Sequence, residues 1–193
     1  MRRLLPLALL LAGCATAPEP TPTPETKPEA TRSTPTPAAL PSDINPNRVF
    51  QLKDLDKTDL DLKGNKVHLW VMDTDSKQAE GMMFLKDGDV KADEGMLFAF
   101  YDMQTKIRSG GQKSGFWMHH TLIPLDIIYF SPKGQIVNIV HGKVEDDTTL
   151  PANADYQNVI ELKAGTAARF GLKVGDTVSI PRLGKPPEPI TGP

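Results

Sequence analysis

The stretch FWMHHTLIPLDIIYF, residues 116–130, is the most apolar run outside the N-terminus, and its reading decides the fold. Alternation sets Phe116, Met118 and His120 on one face against Trp117, His119 and Thr121 on the other. Beyond Pro124, Leu125, Ile127 and Tyr129 oppose Asp126, Ile128 and Phe130. Both faces are largely apolar and β-formers dominate, so two strands buried on both sides are expected, broken at Ile123-Pro124. Proline offers no ladder donor and belongs at the break or at the first residue of a strand. His119, His120 and Asp126 inside such a segment need partners, because burying a neutral polar group unpaired costs roughly 2–7 kcal/mol. Function is therefore sought here first.

Working outward, Leu60-Asp61-Leu62 and Val67 to Val71 flank Lys63-Gly64-Asn65-Lys66, a hairpin signal. Asp75 with Gln78 three residues on reads as the start of a short helix that ends at Gly81 and delivers Met82-Met83-Phe84 to the core. Met96 to Phe100 reads as an apolar strand, and Tyr101 to Gly115 as a long polar loop. Ser131-Pro132-Lys133-Gly134 is a turn that pairs residues 127–130 with 136–140. Val159 to Leu162 is a further strand, Thr166 opens a helical turn ending at Gly171, and Val174 to Val178 turns into a last strand. The expected class is mainly β (α+β): a small barrel-like or sandwich-like antiparallel sheet domain with one or two short helices.

The ends of the chain carry a different signal. Arg2 and Arg3 precede an apolar core from Leu4 to Leu11 and then Leu11-Ala12-Gly13-Cys14, the architecture of a secretory signal too short to span a bilayer. The ending resembles the bacterial lipobox, which implies cleavage before Cys14 and acylation of that residue. Several acyl chains on one residue give stable anchoring where a single chain gives only marginal binding. Residues 1–13 are thus read as signal peptide, and 14–47 as lipidated Cys14 with a Pro/Thr-rich disordered tether. Residues 48–182 are read as one β-rich domain and 183–193 as a loose Pro-rich tail. Fully extended at about 3.1 Å per residue, the tether reaches roughly 100 Å. Ala15 is not the aspartate associated with inner-membrane retention, so the expected location is the outer membrane, facing the periplasm.

With 193 residues there is room for one ordinary domain plus appendages. A formal net charge of −2, more negative by two once Arg2 and Arg3 leave, argues against nucleic acid as a partner. The single cysteine excludes an intramolecular disulfide framework and any Cys-pair metal site. The acids Asp54, Asp56, Asp59 and Asp61 miss the EF-hand spacing.

The spacing of several pieces resembles the bacterial and archaeal family known as domain of unknown function 192. These are Gly81-Met82-Met83, Glu94-Gly95-Met96-Leu97-Phe98, Phe116-Trp117-Met118, Thr121 to Ile128, Val159-Ile160-Glu161-Leu162 with Ala164-Gly165, and Gly175-Asp176. Together they cover about Val67 to Ile180. The resemblance implies a compact β-rich domain of uncharacterised activity. The family carries Lys-Asn between Trp-Met and Thr, where this chain has His119-His120.

The residues support three site readings. In the first, a small-ligand or envelope-partner binding module, Trp117, Met118, Met82, Met83 and Met96 line a pocket, with Asp126 and His120 fixing a polar group. In the second, an enzyme, Asp126 orients His119 or His120 as acid/base, with Glu94 or Glu161 as second carboxylate. In the third, Met118 and His120, with His141 or His68 and nearby methionines, form a copper-type site. Adjacent histidines on a strand point to opposite faces, so His119 and His120 do not share one ion without a bulge. No metal or cofactor is assigned. The absence of a serine elbow, phosphate-binding loop or zincin pair favours the binding module.

Overall fold

In the computed structural model of the protein, the described residues are 44–100, 108, 110–111 and 115–181. The signal peptide, Cys14, the tether up to residue 43, most of the 101–115 loop and the 183–193 tail lie outside them.

The chain forms β1 (Lys57–Leu62), β2 (Asn65–Met72), α1 (Asp75–Glu80), β3 (Glu94–Ala99), β4 (Gly115–Phe116), β5 (Leu125–Phe130), β6 (Ile136–Gly142), β7 (Leu150–Pro151), β8 (Asn158–Lys163) and α2 (Thr166–Arg169). Six strands make one open sheet in the order β1-β2-β3-β8-β5-β6, and β4 pairs with β7 in a second, two-stranded sheet. The fold is mainly β with two short helices, and the large sheet is not closed into a barrel.

Local chemistry sets the pieces. Lys63 and Gly64 both take positive φ, 58° and 84°, the twist that joins two antiparallel strands through a two-residue turn. Thr74 caps α1 by accepting the Lys77 N–H, and Gly81 at φ 45° ends it. β2 and β3 run parallel, in contrast to the expected antiparallel sheet. A parallel connection needs a crossover of a dozen or more residues, and the segment holding α1 supplies it. β8, the last strand in sequence, inserts between β3 and β5 and is antiparallel to both.

All six residues of β3 and of β5 are buried, which requires cover on both faces. One face packs Trp70, Met72, Met96, Phe98, Ile127 and Tyr129 against Leu55, Met82, Leu85 and Met118. The other packs Leu62, Leu69, Leu97, Ile128, Phe130 and Ile160 against Ala167, Leu172 and Val178. The expected strand from Leu125 is present and starts immediately after Pro124.

The first half of the 116–130 run differs. Its strand stops at Phe116, and residues 117–124 turn instead of extending. His120 adopts φ 51°, and its carbonyl accepts the Phe84 N–H at 2.8 Å. That left-handed residue breaks the alternation on which the two-strand reading rested. The last strand expected from the 174–178 turn is reduced to one bridge, between Thr177 and Gln135.

Candidate functional site

The register of the large sheet lines up Lys57, Trp70, Met96, Glu161 and Ile127 as cross-strand neighbours in one row. Glu161 is thereby locked between Met96 and Ile127, with Phe98 and Gly81 beside it. Its Oε2 has no hydrogen-bond partner among the described residues. Burial pushes its carboxyl up to about 8, against the pull of the Arg48 guanidinium.

Arg48 is buried and clamps the N-terminal segment to the crossover. Its Nη1 donates to the carbonyls of Gly81 and Met83, and its Nε donates to Phe50 O at 3.1 Å. Its Nη2 lies 3.2 Å from Glu80 Oε2, an ion-pair distance without hydrogen-bond geometry. Glu80 in turn accepts the N–H groups of Val49 and Phe50. Burial lowers the Arg48 pKa, opposed by Glu80, Asp89 and Glu161.

Beside this clamp lies a cleft of about 780 Å³. Its floor is Lys57, Trp70 and Glu94, and one wall is the segment from Ile44 to Leu55. The other wall comes from Phe84 to Lys91 with Leu122. The segment wall is held by Asn45, whose Nδ2 donates to Phe84 O at 2.8 Å. The Lys57 ammonium sits 4.5 Å above the Trp70 ring and 3.2 Å from Glu94 Oε1. Glu94 also accepts the Lys91 N–H at 3.0 Å, and the Lys91 ammonium stands 3.8 Å away. Burial raises the Glu94 pKa, but the Lys91 N–H and the Lys57 ammonium outweigh it, leaving the carboxyl below its ordinary value. Trp70 is only 3% exposed, and its Nε1–H has no acceptor among the described residues.

The structure divides the residues singled out from sequence. Glu94 lines the cleft, while Met96 and Glu161 lie on the same sheet face. Met118 is wholly buried as packing, against Gly142. Trp117, expected in the core or a pocket wall, is 52% exposed and stacks on His119 at 4.8 Å between ring centroids. His119 and His120 do not point to opposite faces. The turn brings their rings to 3.9 Å, and His120 stacks on Phe84 at 5.0 Å. A ladder of four rings thus runs from Trp117 to Phe84 at the cleft.

Asp126 does not pair with His119 or His120. His119 Nδ1 is 2.8 Å from Asp147 Oδ1. Asp126 faces the other side of the sheet, where Oδ1 is 2.7 Å from His141 Nδ1 and Oδ2 accepts the Ala167 N–H at 2.7 Å. A bulge between Tyr129 and Phe130 shifts β6 by one residue and brings His141 opposite Asp126.

The copper-type set does not assemble either. Met118 points inward while His120 is exposed, His141 is held by Asp126, and His68 by Asp59 at 2.6 Å. Among the described residues no three His, Cys, Asp or Glu side chains gather as a metal site. Sequence reasoning missed Lys57, Trp70 and Arg48. The hairpin register legibly places Lys57 opposite Trp70, whereas nothing in sequence links Arg48 to Glu80.

The architecture defines a class: a β-rich domain with an open mixed sheet, covered on both faces, and a cleft where the N-terminal segment crosses β1 to β3. Residues 58–180 match the DUF192 family, uncharacterised ACR, and the chain belongs to that family. The fold is similar to the crystal structure of a protein of unknown function from Novosphingobium aromaticivorans. That protein is 31% identical, covering 74% of this chain and 94% of the other, with a TM-score of 0.54. It is also similar to a candidate transcription regulator from Sinorhizobium meliloti, 24% identical over 58% of this chain and 81% of the other, with a TM-score of 0.50. No curated protein matches the chain.

Proposed function

We propose that this chain is a lipid-anchored envelope protein whose DUF192 domain is a binding module for a small ligand. The observation that carries the binding reading is the cleft over Trp70. At about 780 Å³ it falls within the 300–1,000 Å³ of small-molecule sites, and its lining sets apolar side chains such as Phe84 and Leu122 among polar and charged ones. The anchoring half rests on Leu11-Ala12-Gly13-Cys14 and the Pro/Thr-rich segment that follows. Acylated Cys14 holds the domain at the membrane, on the periplasmic side of the outer membrane, and the tether sets its reach.

Native mass spectrometry of the chain extracted from its own membranes tests both halves. The expected result is acyl mass on Cys14 together with a retained small molecule that is lost in Leu122→Arg, which fills the cleft rim. Recovery in the soluble fraction without acyl mass overturns the anchor. Identical bound mass in wild type and Leu122→Arg overturns the cleft as the binding site.

A second reading rests on the other face. Buried Asp126 holds His141 through Nδ1 and leaves the exposed ring's Nε2 as the free nitrogen, the orienting half of a general-base pair. It lies across the sheet from the cleft, so it would act on a different molecule.

A further inference from the structure

We infer that the ligand of the cleft is an organic anion with a flat apolar body, its anionic group held between Lys57 and Lys91 and its body laid against Phe84 and Leu122; this rests on the binding reading above. Three observations carry it. First, the ammonium groups of Lys57 and Lys91 stand 3.2 and 3.8 Å from the same Glu94 oxygen, so two cations share one carboxylate and the floor keeps an unmatched positive charge. Second, besides Arg48, which Glu80 pairs, and Lys53, the lining holds three cationic side chains, Lys57, Lys86 and Lys91, against two carboxylates, Asp89 and Glu94. A cleft lined by an excess of one sign of charge raises the local concentration of ligands of the other sign. Third, the buried Trp70 Nε1–H has no acceptor among the described residues. A buried donor left unpaired is costly, so the cleft-lining indole carries a polar group that the described residues do not satisfy.

The shape selects the rest of the ligand. The lining includes the apolar side chains Leu52, Phe84 and Leu122, contact surface that a ring system can use and a compact inorganic ion cannot. In the resting state Glu94 is shared by the Lys57 and Lys91 ammonium groups. The anion displaces Glu94 from one of its two ammonium partners without leaving that carboxylate unpaired, because Lys91 and its backbone N–H remain.

The test uses three probes of one shape and different charge: 2-naphthoate, 2-naphthalenemethanol and 2-naphthylmethylammonium. Each is titrated calorimetrically into the full chain carrying Cys14→Ser, so that no acyl group competes. Naphthoate should bind about tenfold or more tighter than the alcohol at low ionic strength, and the gap should shrink in high salt. The ammonium probe should bind weakest. Lys57→Met, and separately the surface variant Lys91→Met, should each weaken naphthoate about fivefold or more while leaving the alcohol unchanged. Equal affinity for naphthoate and the alcohol, or preference for the ammonium, overturns the anion inference while the binding module stands. Failure of all three probes to bind overturns both.

Discussion

Replacing Glu161 by Gln swaps a buried carboxyl for a neutral side chain of the same shape, and its effect should depend on pH in a defined direction. Burial raises the folded carboxyl from an ordinary 4.5 to about 8, so the folded state keeps a proton that the unfolded chain releases over that interval. The stabilisation is therefore complete below about pH 4.5 and lost as pH rises through 8. Each pH unit in this window removes about 1.4 kcal/mol, so wild type should lose about 4 kcal/mol relative to Glu161→Gln between pH 5 and 8.

Urea denaturation of both proteins at half-unit steps from pH 5 to 8.5 measures this difference directly, because the two chains differ at no other residue. Near pH 5 the two should be close, since a protonated Glu and a Gln are both neutral. Above pH 8 the variant should be the more stable. A difference that stays constant across the range would refute the reasoning. It would mean that Glu161 is ionised throughout and that Arg48, rather than burial, decides its state.

Other substitutions separate packing from surface. Met118→Ala removes a fully buried side chain and should cost about 2–5 kcal/mol in chemical denaturation. Trp117→Ala should cost less than about 1.5 kcal/mol, because the ring is half exposed and loses one stacking partner, His119; a core-sized loss would contradict its placement. Asp126→Ala strands the buried Ala167 N–H and should destabilise by about 1–3 kcal/mol or more, with faster hydrogen exchange at Ala167; unchanged protection there would refute the contact.

The strands that were legible in the sequence are those whose neighbours agree with them. Leu125–Phe130 is apolar on both faces and sits between β8 and β6, so propensity and burial point the same way. The 60–71 hairpin is legible for the same reason, with a glycine at the position that needs positive φ. Residues 116–121 misled because alternation was read through His120, a left-handed residue that apolar pattern does not mark. The Asp126–His141 pair was hidden by a single bulge, since an unbulged hairpin would put Val140 opposite Asp126 and turn His141 to the other face. Glu161 was visible as a carboxylate in an apolar strand. The charge that opposes its burial was not, because Arg48 belongs to a segment remote in sequence and acts on Glu161 through space while its own contacts go to Glu80 and three carbonyls.

That remote segment ties the two halves of the molecule's design together. The chain leading from Cys14 enters the described fold at Ile44, and its first ten or so residues build one wall of the cleft. The wall is not a loose approach. Arg48 donates to three carbonyls and pairs with Glu80, Asn45 bonds Phe84, and Gln51 donates to the carbonyls of Asn45 and Arg48. A guanidinium suits this role because its planar fork stays charged and serves several acceptors in fixed directions, which an ammonium on a flexible stem does not reproduce. The same guanidinium opposes the burial that keeps Glu161 protonated, so a displacement of the 44–55 segment would move the cleft wall and shift the Glu161 carboxyl further up. Cleft shape, the 44–55 segment and the carboxylate with the most strongly raised pKa among the described residues are therefore linked through a single side chain.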